Sequence, residues 1–174
     1  MLTAILFPYG SSLCQATNDN FVTYDNAAWG IKIQYPADWA KEETDDEFGK
    51  RVIFLVSGSP IKYGEKLSID ILDNDGGKSL TDKVNDLIDF NEHKNDALTN
   101  YHLIESTPII INNISAYKIV DTYSDSKFGN VKSMSIELLN GNKQYDILFT
   151  SGPEKYDSLL PTIQKMVDSF QTNK

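Results

Sequence analysis

The sequence predicts an α+β domain: an antiparallel β-sheet of about six to eight strands with helices packed on it. Three observations carry that expectation. Apolar and polar residues alternate over many short runs, the period-2 pattern of half-buried strands. Turn signals such as Asn112-Asn113 and Asn140-Gly141 join neighbouring runs, which makes adjacent strands antiparallel. Helical stripes occur only in mid-chain and at the end, so the order reads strands, helix, strands, helix.

Folded sequence is expected to begin at Phe21, after a polar hinge at Asn18 to Asn20. Phe21 to Asp25 reads as a strand, Asn26 to Trp29 as a turn and Gly30 to Tyr35 as a second strand. Ile31, Ile33 and Tyr35 share one face there, and Pro36 ends the run because it has no amide to give a ladder. Lys41 to Lys50 is dominated by acids and reads as a solvated loop. Arg51 to Ser57 is apolar on both faces, as in an interior strand. Lys66 to Leu72 points Leu67, Ile69 and Ile71 inward and Ser68 and Asp70 outward, and Asp73 to Gly77 turns the chain. Ser79 and Asp82 form a capping pair ahead of the stripe Leu80, Val84, Leu87, Ile88, a helix that frays near Asn95. Leu103 to Ile111 and Ile114 to Tyr123 are paired strands. Around Asn140-Gly141, Met134, Ile136 and Leu138 face in, opposite Tyr145, Ile147 and Phe149 of the strand Gln144 to Thr150. The closing stripe from Tyr156 to Phe170 contains Pro161, and a cap at Asp157 would leave that proline in a first turn, where free amides are normal.

At 174 residues and a net charge of −9, the chain fits one domain at 21–174 and lacks the clustered basic charge of a nucleic-acid binder. The same charge disfavours anionic membrane surfaces. Residues 1–20 form a signal or a disordered N-terminal segment. Met1 to Ala16 has no charged side chain, and its apolar run Leu2 to Phe7 leads to a small-residue ending at Ala16, the later part of a secretory signal. Lipidation of Cys14 and a simple N-terminal arm are the alternatives, although Leu13 stands where a small residue normally precedes a lipidated cysteine. The run is too short to span a bilayer, which takes about 20 apolar residues. Cys14 is the sole cysteine, so no disulfide closes within one chain.

Phe21-Val22-Thr23-Tyr24 leading into Gly30 to Trp39, with Ala116 to Val120 and Leu160 to Phe170, resembles the PsbP-like family, over about Phe21 to Phe170. The likeness is to exported members of the type found in ammonia-oxidising archaea. It implies an α/β/α sandwich built on an antiparallel sheet. It also implies a non-enzymatic, extracytoplasmic accessory or binding protein that contacts a membrane complex through protein–protein surfaces. Better-known relatives are extrinsic subunits of photosystem II that help retain calcium and chloride, and other proteins of this fold bind a small GTPase. The acidity here departs from the basic docking surfaces of the chloroplast members and speaks against photosystem binding. The matched segments are strand, turn and helix signatures, so no site residue is carried over.

The residues themselves offer few sites. Asp73 and Asp75, in an Asp-Asn-Asp-Gly turn, are candidate ligands for calcium or manganese, and a divalent-cation module is the alternative function. Ile71 occupies the place of the first acidic ligand of an EF-hand loop, and the same residues are ideal turn formers. Asn113 opens a glycosylation sequon in a hairpin turn. His93 and His102 lie in polar surroundings, as surface histidines do. Trp39 is either a core residue or a partner-facing anchor. No nucleophile elbow, phosphate loop or dinucleotide fingerprint is present, so no enzyme activity and no cofactor beyond a calcium ion is expected.

Overall fold

β1 (Phe21–Asn26) and β2 (Ile31–Pro36) form an antiparallel hairpin whose turn is closed by the Trp29 and Gly30 amides on the Asn26 carbonyl. Gly30 takes φ 70° there, a conformation glycine adopts without steric cost. The chain is described by a computed structural model that covers residues 20–59, 65–74 and 76–172. The proposed export signal and Cys14 lie outside these residues.

The acidic stretch expected as a loop is instead a strand. β3 (Ala40–Asp46) pairs along its whole length with β4 (Gly49–Leu55), turning at Glu47 and Phe48. Every residue of β3 is exposed, so its side chains gain nothing from a core. Backbone pairing with an interior strand is enough to order it, and the charges guard its free edge against self-association. β5 (Lys66–Asp73) follows, and α1 (Leu80–His93) begins where Ser79 accepts the Asp82 amide at 3.1 Å. β6 (Leu98–Ile111) starts earlier than expected and bulges on either side of His102. It pairs with β7 (Ile114–Asp125) through the turn Asn112-Asn113, both at positive φ.

β8 (Gly129–Asn140) and β9 (Lys143–Ser151) meet with Asn140 opposite Lys143, which makes Gly141 and Asn142 the turn residues, one place later than the expected Asn140-Gly141. Gly141 at φ 61° is the first central residue, where a type II′ turn calls for glycine. α2 (Pro153–Ser169) is continuous, capped by Gly152 rather than Asp157, with Pro153 in the first turn and Pro161 in its interior. Pro161 and Asp157 are both exposed, so water can reach the carbonyl whose helical partner is lost. β10 (Gln171–Thr172) closes on β2.

The strands form a small sheet, β1-β2-β10, and a seven-stranded antiparallel sheet in the order β3-β4-β5-β9-β8-β7-β6. The core lies between one face of the large sheet and a layer made of α2 and the small sheet. Phe54, Leu67, Ile69, Leu138, Ile147 and Phe149 meet Ile31, Ile33, Ile163 and Phe170 there. Tyr24 and Tyr35 set their rings 5.8 and 4.6 Å from that of Phe54, and Tyr145 lies 5.9 Å from Phe170. Trp39 is buried in the same core. α1 packs on the opposite face, against β6, β7 and β8.

Candidate functional site

Register places three carboxylates side by side beneath α1. Asp70 of β5 is the partner of Asp146 on β9, and Asp146 is the partner of Glu137 on β8. Each stands between two apolar residues, as in Ile69-Asp70-Ile71, Ile136-Glu137-Leu138 and Tyr145-Asp146-Ile147. Those neighbours are buried in the core, so strand alternation sends all three carboxylates to the α1 face. Arg51 of β4 continues the row and pairs with Asp70 through Nε.

Ser135 ties the inner two together. Its Oγ lies 3.0 Å from Oε1 of Glu137 and 3.0 Å from Oδ1 of Asp146, while Gln144 donates to the other Glu137 oxygen at 3.4 Å. A serine hydroxyl has one proton to give, so both contacts are satisfied when one acid keeps its own proton. Burial raises the Asp146 carboxyl well above the usual range, and the Glu137 and Asp70 charges add to the effect. Burial raises Glu137 as well, with Asp70 contributing. Asp121 of β7, which accepts a hydrogen bond from Ser133, is raised by burial on the same face. Burial and mutual repulsion thus disfavour ionising both Glu137 and Asp146 at once.

The row opens sideways into a cleft of about 550 Å³ walled by Phe48, Leu72, Lys83 and Leu87. Phe48, at the tip of the β3–β4 hairpin, is 80% exposed. Asp45, Asp46 and Glu47 flank it at the tip, where Asp46 accepts the Phe48 amide at 2.9 Å and Lys50 pairs with Asp45, while Glu42 and Glu43 lie further along β3. Chemically this corner offers negative potential, one aromatic anchor and a buried pair of carboxyls whose ionisation is disfavoured.

The residues singled out from sequence lie elsewhere. Asp73 ends β5 and pairs with Lys143 of β9, which holds its carboxyl below the usual range. A cation at that turn would compete with the Lys143 ammonium. Asp75 lies outside the described residues, and among those described no group of three or more His, Cys, Asp or Glu side chains is arranged to hold a metal ion. Asn113 is exposed in the β6–β7 turn at φ 66°. His93, in the last turn of α1, contacts Asp89 at 3.2 Å, and His102 is exposed on β6. Sequence reasoning missed the carboxylate row because an acid between apolar strand residues ordinarily faces water. The available signal was the repetition of that pattern on three strands, legible only once their register is known.

No curated protein matches the chain. Among solved structures it is similar to cyanobacterial PsbP (CyanoP) from Synechocystis sp. PCC 6803. The identity is 17%, the match covers 87% of this chain and 92% of that one, and the TM-score is 0.67. It is also similar to a protein of unknown function, PA94, from Pseudomonas aeruginosa, at 12% identity, 88% and 98% coverage and a TM-score of 0.63. At these identities the likenesses show a shared fold. The PsbP-like protein family model matches residues 10–172, nearly the whole length, and on that match the chain belongs to the PsbP-like family.

Proposed function

We propose that this chain is a non-catalytic, extracytoplasmic accessory protein that acts through protein–protein contacts with a membrane complex. The observation that carries the reading is Phe48, 80% exposed among acids at the mouth of the cleft. Large aromatic side chains with that much exposure are unusual away from interfaces, where they act as anchors. The surrounding acids favour a basic partner surface and steer its approach. The family match and the fold shared with cyanobacterial PsbP support an accessory role. The test is capture from solubilised membranes with the native protein as bait, followed by affinity measurement on the recovered complex. Phe48→Ala is expected to weaken binding by about tenfold or more. Recovery of no reproducible partner, or equal affinity for Phe48→Ala, would overturn the reading.

A further inference from the structure

Lys66 stands at the opposite end of the α1 face from Phe48. It opens β5, with Leu55 and Thr150 as its cross-strand partners, and alternation turns it to the same face as Ser68 and Asp70. There it lines a cleft of about 680 Å³, within the size range of small-molecule sites. Tyr123, Phe128, Val131 and Leu148 give that cleft an apolar wall.

Of the three acids lining the cleft, Glu65 and Asp125 have partners of their own. Glu65 pairs with Lys155 at 2.8 Å and accepts from Ser59. One oxygen of Asp125 accepts the amides of Lys127 and Phe128 at 2.7 and 3.1 Å. The Glu154 carboxylate folds back against Gly152 at the start of α2. Lys66, the one cationic residue lining the cleft, is partly buried and makes no ion pair or hydrogen bond among the described residues. Burial, and then the Arg51 charge, push its pKa down, with Asp70 offsetting only part of the effect. Its charged form is short of a counter-ion, and an anion entering the cleft supplies one.

We propose that this cleft binds a small organic anion, a carboxylate or sulfonate carried on an aromatic or branched apolar body. The anionic head sits on Lys66 and the body lies against Tyr123, Phe128, Val131 and Leu148. The site is separate from the partner-binding corner and stands whether or not that corner binds a protein.

The test compares two probes with the same rings, anionic 8-anilinonaphthalene-1-sulfonate and neutral N-phenyl-1-naphthylamine, by fluorescence titration of the folded chain. The native protein is expected to bind the anion saturably and about tenfold or more tightly than the neutral probe. Lys66→Met should abolish that preference, and Lys66→Arg should keep it, with circular dichroism establishing that both variants fold. Equal affinity for the two probes, no saturable binding of the anion, or undiminished anion binding by folded Lys66→Met would each overturn the proposal.

Discussion

The Asp146 carboxyl is held well above the usual carboxylate range. Burial is the main cause, and the neighbouring Glu137 and Asp70 charges reinforce it. A carboxyl whose folded pKa lies above its unfolded value favours the folded state fully below the unfolded value, about 4, and loses that contribution as pH climbs toward the folded value. Stability should therefore fall as pH rises from about 4 toward the raised folded value. Asp146→Asn removes the cost of ionisation while preserving a donor toward Glu137. It is expected to raise unfolding stability at pH 7 by about 1–3 kcal/mol and to flatten the pH profile, as read by denaturant titration. A loss of stability at neutral pH in this variant would show that the pair is held ionised. Asp73 behaves oppositely, because Lys143 depresses its pKa; whatever it contributes is present above the unfolded value and fades in acid. Core residues act by volume. Phe170, 1% exposed and stacked edge-on to Tyr145, should cost about 3–5 kcal/mol when cut to alanine, measurable by the same unfolding curves.

Single elements show where local rules hold and where pairing overrides them. The Ser79 cap of α1 was readable from sequence, because an N-terminal serine with an acid three residues on satisfies backbone amides by itself. Ser79→Ala should cost about 1 kcal/mol in chemical unfolding. α2 went the other way: Pro161 sits inside it although a proline there lacks an amide and crowds the preceding turn. The apolar stripe on the buried side, with Tyr156, Ile163, Met166 and Val167, holds the helix through that defect. Pro161→Ala should accordingly stabilise the protein by about 1–3 kcal/mol, and a lower thermal midpoint would show that the proline is needed for the helix's path. β3 was illegible because none of its seven residues is buried, leaving no alternation to detect.

At the scale of the molecule, the large sheet has one apolar face and one polar face, and both are covered. The acidic hairpin and the Lys66 cleft lie toward opposite ends of the polar face, with α1 between them. Binding at the hairpin should be salt-sensitive: replacing Glu42 and Glu43 with lysine is expected to slow association and reduce its ionic-strength dependence, checked by stopped-flow or surface binding kinetics. By itself, the sequence determined the α+β class, the two hairpin pairings β6–β7 and β8–β9 and many of the apolar core residues. Those follow from local periodicity and turn chemistry, which act between near neighbours. Only the tertiary structure decided that Ser133, Ser135 and Glu137, which alternate as a solvent-facing set, are buried beneath α1. It also decided that Glu137, Asp146 and Asp70 form one row. Alternation says which residues share a face but not what covers that face, and register between strands distant in sequence is set by packing rather than by any single strand.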